Sequence, residues 1–103
     1  MGVPVILTED SLNDLAVLVS YIAQDSPDRA RRFGNDLIDR ALGLGRFPEM
    51  GRQVPEIGVA TVREIIHSPY RVIYEIQEEP LRIYVLRFWH SARGTSEIIR
   101  APQ

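Results

Sequence analysis

The sequence predicts an α+β fold with element order β-α-α-β-β-β: a small antiparallel sheet, a helical hairpin packed on one face, and a short C-terminal arm. Three observations carry this expectation. Two apolar runs rich in β-branched and aromatic residues, 72–76 and 81–88, flank the polar turn Gln77-Glu78-Glu79-Pro80. Two apolar stripes at helical spacing follow start signals at Thr8 and Ser26. A further strand-like run, 61–66, enters the hairpin through His67-Ser68-Pro69.

Taken in order, residues 3–7 are a short apolar run that reads as a first strand, central or at the edge of the sheet. Thr8 is the expected N-cap of the first helix, with Glu9 and Asp10 in the turn where the helix dipole favours negative charge. Leu12, Leu15, Ala16, Val19, Ile22 and Ala23 form its apolar stripe. Ser26-Pro27 starts the second helix, with a capping hydroxyl followed by proline at the first helical position. Ala30, Phe33, Leu37, Ala41 and Leu44 are its stripe, and Gly34 allows close contact with a neighbour. The short link makes the two helices antiparallel. Gly43, Gly45 and Pro48 end the second helix, and a proline- and glycine-punctuated loop, 47–56, follows. A loop of this length is functional or loosely held. In the hairpin, Ile76 is expected opposite Leu81, Tyr74 opposite Ile83, Val72 opposite Val85 and Tyr70 opposite Arg87. Alternation then gathers Val72, Tyr74, Ile76, Leu81, Ile83 and Val85 on a core face. It leaves Arg71, Ile73, Glu75, Arg82, Tyr84, Leu86, Phe88 and His90 on a half-apolar open face.

The 103 residues read as one domain, 1–103, large enough to bury roughly two-thirds of the surface of its unfolded chain. Cysteine is absent, which removes disulfides, thiolate metal sites and a cysteine nucleophile. His67 and His90 lack metal-binding spacing, so neither a metal nor another cofactor is expected. No run is long and apolar enough to span a bilayer and no signal peptide is visible, so a cytoplasmic location is expected. The formal net charge of −2 gives no bulk attraction to nucleic acid. Every basic residue is arginine, which excludes lysine chemistry and favours bidentate grip on phosphates or carboxylates.

The residue types that carry chemistry are Arg63, Arg71, His90 and Arg93. Alternation places Arg71 and His90 on one face, and Arg63 joins them if its strand pairs in matching register. Arginines that stabilise charge beside a histidine acid suit phosphodiester cleavage, with Glu56 as base if the loop folds over that face. The alternative is structural: a histidine at a strand end bonds a backbone group, and Arg52, Arg82 and Arg87 are solvated or in surface ion pairs of little weight. Tyr84, Phe88 and Trp89 on or beside the open face, with Arg63, Arg71 and Arg93, are the candidate binding residues. Trp89 is expected at an interface and Tyr74 in the core.

Several local motifs, in order, resemble the RelE/ParE superfamily of bacterial type II toxin–antitoxin toxins. They are Tyr21-Ile22-Ala23 with Ser26-Pro27 and Ala30; Pro48-Glu49-Met50-Gly51-Arg52 with Val54-Pro55-Glu56; Val62-Arg63-Glu64; Tyr70-Arg71-Val72-Ile73-Tyr74; and His90 with Arg93. The resemblance covers nearly the whole chain. It implies growth arrest and a cognate antitoxin that wraps the toxin in a hetero-oligomer. Members similar to ParE poison DNA gyrase without being nucleases; members similar to RelE cut messenger RNA on the ribosome. In the latter, Arg71 and His90 match an arginine and a catalytic histidine, and Glu56 can be placed on the glutamate base. The acidic balance, the missing lysines and the Gly51-Arg52-Gln53-Val54-Pro55-Glu56 loop are closer to the ParE branch. A gyrase inhibitor is therefore the first expectation and a ribosome-dependent endoribonuclease the second. An inactive toxin retained within an antitoxin repressor complex is the third.

Overall fold

Apolar strand faces and helix stripes are stable only when they cover one another, and here they do so as two helices against one five-stranded sheet. The computed structural model describes residues 2–94 and Ile98. Strand β1 is Val5–Leu7, helix α1 Glu9–Ala23, helix α2 Pro27–Gly43, β2 Arg52–Gln53, β3 Val62–His67, β4 Tyr70–Gln77 and β5 Arg82–His90. The sheet order is β1-β5-β4-β3-β2. The expected order of elements is present, with two refinements. β1 runs parallel to β5 at the sheet edge, so the sheet is mixed rather than wholly antiparallel. The long chain between them, helical hairpin included, is what a parallel neighbour needs. The loop expected over 47–56 contains the short extra strand β2, antiparallel to β3. Beyond Ile98, the expected C-terminal arm lies outside the described residues.

The caps act as the sequence suggests. Ser11 donates its backbone N–H to Thr8 Oγ1 at 3.2 Å, while the Thr8 hydroxyl donates to the Val85 carbonyl at 2.7 Å, tying the start of α1 to β5. Ser26 accepts from the Arg29 N–H, and Pro27 opens α2. A Cβ on Gly34 would lie 3.0 Å from Val19 Cγ2, so the glycine does let the helices approach. The α1 stripe is rotated from the expected one. Leu18 is buried, Leu15, Val19 and Ile22 pack beside it, and Leu12 is exposed.

Leu18, Leu37, Ala41 and Leu44 meet Ile65, Val72, Tyr74, Ile83, Val85 and Phe88 in the main core. Each large side chain buried there contributes about 1.5–3 kcal/mol. The other face of the sheet is not the open surface expected from alternation. Val54, Val62, Ile73, Trp89 and Ile98 form a second core there, with Ile57 and Leu86 packed against it.

The hairpin register corrects the sequence reading. Gln77 pairs with Arg82, Ile76 with Ile83 and Tyr74 with Val85, two residues from the expected pairing. A two-residue shift keeps every side chain on its face. A β-bulge then inserts one residue: Ile73 pairs with Arg87, Val72 with Phe88, Arg71 with Trp89 and Tyr70 with His90. One extra residue reverses the facing of everything beyond it. Phe88 and His90 therefore lie on the helix side of the sheet, not beside Arg71.

Candidate functional site

The residues expected to act together are divided between the two faces. Glu64 and Arg71 lie on the face away from the helices. Glu64 is fully buried and accepts from Arg71 Nε and from Arg52 Nε, the latter at 2.8 Å. Glu56 sits in the loop that covers this face, with its carboxylate 3.0 Å from Arg71 Nη1. The Arg71 hydrogen bond is the largest reason that the Glu56 carboxyl is held below its ordinary pKa. Burial works against the Arg71 cation, but its hydrogen bonds to Glu56 and Glu64 prevail and raise its pKa. Among the described residues, Arg71 Nη2 is buried without a hydrogen-bond partner. Arg71, read from sequence as a phosphate ligand, is thus a buried ion-pair residue with two carboxylates on it. Breaking a buried pair by removing one member costs about 3–5 kcal/mol, so this cluster has a structural role in its own right.

Arg63 does not join it. The residue pairs with Tyr74 across β3 and β4, and its Nη1 donates to the Gly51 carbonyl at 2.7 Å. Tyr74 belongs to the helix-side core, so Arg63 faces the helix side, opposite to Arg71. Phe88 is core rather than a binding residue, and Trp89 is buried rather than at a free interface. The Trp89 indole donates to the Gly94 carbonyl at 3.2 Å, and the Arg93 guanidinium stacks 3.7 Å from its ring centroid. Tyr84 accepts a long hydrogen bond from Arg82 at 3.4 Å.

His90 lies in a different place, at the helix-side end of β5. Its Nδ1 accepts from the Ala92 N–H at 3.0 Å, which leaves the proton of the neutral ring on Nε2. Its ring meets Tyr70 edge-on at 5.1 Å, and burial raises the Tyr70 pKa. A cavity of 540 Å³ opens beside it, lined by Tyr21, Tyr70, His90 and Arg93 among others. Among the described residues, the acid on the cavity wall is Asp14, which accepts from Arg87 Nε at 2.7 Å, from Arg87 Nη2 at 2.8 Å and from the Phe88 N–H at 3.1 Å. This bidentate pair, between residues 73 apart in sequence, was invisible to sequence reasoning, which placed Arg87 among weak surface pairs. Glu64 had a faint signal, an acid in the middle of an apolar strand. Among the described residues, no group of three or more His, Cys, Asp or Glu is placed to hold a metal, and no helix is long and apolar enough to cross a membrane.

The fold thus sets Arg71 in a buried ion-pair cluster on one face of the sheet and His90 beside an open cavity on the other. Residues 5–94 match the family described as the ParE toxin of the type II toxin–antitoxin system parDE. The chain belongs to the ParE toxin family. A relative, Toxin RelE2 of Caulobacter vibrioides, is 35% identical over 89 residues, covering 86% of this chain and 96% of that protein. The fold of this ParE-family toxin also matches a chain from the chromosomal ParDE system of P. aeruginosa, with a TM-score of 0.71 at 19% identity over 85% of this chain and 95% of that one. A chain of the RelBE2 toxin–antitoxin complex from Mycobacterium tuberculosis matches with a TM-score of 0.66 at 24% identity, over 90% of this chain and 95% of that one. The protein is therefore a toxin of the RelE/ParE superfamily, with the helical hairpin and open sheet of these neighbours.

Proposed function

We propose that this toxin arrests bacterial growth by binding DNA gyrase through protein contacts, is not itself a nuclease, and is neutralised by a cognate antitoxin. The observation that carries this reading is the separation of Arg71 from His90: they sit on opposite faces of the hairpin beyond the bulge, and Glu56 and Glu64 already occupy Arg71. Phosphodiester cleavage needs a charge stabiliser and a proton donor at one reacting centre. The ParE family match supports the gyrase target, and both solved neighbours, from toxin–antitoxin systems, support the antitoxin.

A second reading, a ribosome-dependent endoribonuclease, is favoured by the relative named Toxin RelE2 and by His90 and Arg93 lining one cavity. Low net charge counts against it, because binding to ribosomal RNA draws most of its affinity from phosphate neutralisation. The two readings separate when the toxin is induced alone in bacteria and DNA and protein synthesis are followed by pulse labelling. The gyrase reading expects DNA synthesis to fall first and a folded His90→Ala variant to stay as toxic as the wild type. Early loss of protein synthesis, with His90→Ala lowering message cleavage about 10²- to 10⁴-fold, would establish the nuclease instead.

A further inference from the structure

The end of the sheet remote from His90 carries a surface that neither the ion-pair cluster nor the aromatic cavity explains. A cavity of 640 Å³ opens there between the connection after α2 and the β4–β5 turn. Phe47, Pro48 and Met50 form one wall, and Ile76 and Leu81 the other. Phe47 is 65% exposed, Met50 51% and Leu81 47%. Large apolar side chains gathered at one opening, rather than scattered singly, mark an interaction site.

The connection that presents them is fixed rather than loose. Tyr74, fully buried in the core, donates its hydroxyl to the Pro48 carbonyl at 2.7 Å and accepts from the Gly51 N–H at 2.9 Å. Met50 N–H closes the turn on the Phe47 carbonyl at 3.0 Å, and Arg63 holds the Gly51 carbonyl. A core tyrosine and a strand arginine thus hold in place a turn whose two largest side chains point to solvent. Such rigidity lowers the entropy lost when a partner binds. The rim is acidic on balance, with Glu49 and Glu78 against Arg46.

We propose that this cavity is the surface by which the toxin grips its protein target. The occupant is a segment of the target with apolar anchors and flanking lysine or arginine. The assignment rests on the proposed function in requiring a protein target; it adds where that target is held and which chemistry is recognised.

The test uses the full-length toxin with Phe47→Asp and Met50→Asp together. Both positions are exposed, so circular dichroism should show a wild-type fold. Retention of purified DNA gyrase should weaken about 30-fold or more, the loss expected for a central apolar anchor, and growth arrest on induction should disappear. Glu49→Lys with Glu78→Lys should weaken retention and reduce its salt dependence. If the double aspartate variant does not fold, Leu81→Glu on the opposite wall is measured in its place, with the same expectation. A folded variant that still arrests growth as the wild type does overturns the assignment. If the wild-type toxin does not retain gyrase, the gyrase reading fails by itself. The surface is then judged by growth arrest alone, whose loss in the folded variant supports it and whose persistence overturns it.

Discussion

At the residue scale, Glu56 is the side chain whose role changes most when seen in place. Read from sequence it is a potential catalytic base; in the fold it secures the loop over the second core by its bond to Arg71. Because its carboxyl is held below its ordinary pKa by that bond, its contribution to stability has a defined pH dependence. The contribution is fully present above the unfolded glutamate value of about 4.3 and is lost as the pH falls through the lower folded value. The difference in unfolding free energy between wild type and Glu56→Gln, measured by urea titration, should be largest near neutrality. It should narrow as the solution is acidified below that value; a gap constant across this range would show that the carboxylate charge is not what secures the loop. His90 makes a complementary point: its hydrogen bond to the Ala92 N–H is a local one, of the structural kind that a strand-end histidine often makes.

At the element scale, the β4–β5 hairpin explains both what was legible in the sequence and what was not. Strand composition and helical stripes reveal the elements and their order because burial imposes a period on each. Register is another matter. The pairing of Ile76 with Ile83 and the extra residue before Arg87 depend on which neighbours the turn and the helices leave room for. No local pattern records that, so alternation carried through the hairpin put Phe88 and His90 on the wrong face. The cover over the half-apolar face is not legible for a related reason: Val54, Ile57 and Ile98 come from the loop before β3 and the chain after β5, irregular segments whose sequence carries no periodic signal of what they pack on. The turn before β2 carries a sharper constraint. A Cβ on Gly51 would fall 2.5 Å from the Glu64 carbonyl oxygen and 2.7 Å from the Tyr74 hydroxyl. Gly51→Ala should therefore destabilise the fold by about 1–3 kcal/mol. In thermal unfolding each kcal/mol corresponds to roughly 4–8 °C for a domain of this size. An unchanged melting temperature would mean that the turn can yield, and that Phe47 and Met50 are not rigidly presented.

At the scale of the whole molecule, the sheet separates three chemical environments. The Arg71 ion-pair cluster lies on one face, the His90 and Tyr21 cavity opens on the helix side, and the Phe47 and Leu81 cavity lies at the far end. The first of these environments is buried, whereas the other two open to solvent. The resemblance in sequence reached the superfamily through its ordered motifs. It reached the division of labour less well, because shared arginines and histidines act together only if the fold brings them together. Contact with gyrase, as opposed to catalysis, can be measured as DNA supercoiling by purified gyrase with increasing amounts of the purified toxin, in the absence of ribosomes. A toxin that acts on gyrase inhibits in a dose-dependent way that His90→Ala preserves; full supercoiling at saturating folded toxin would overturn the proposed target.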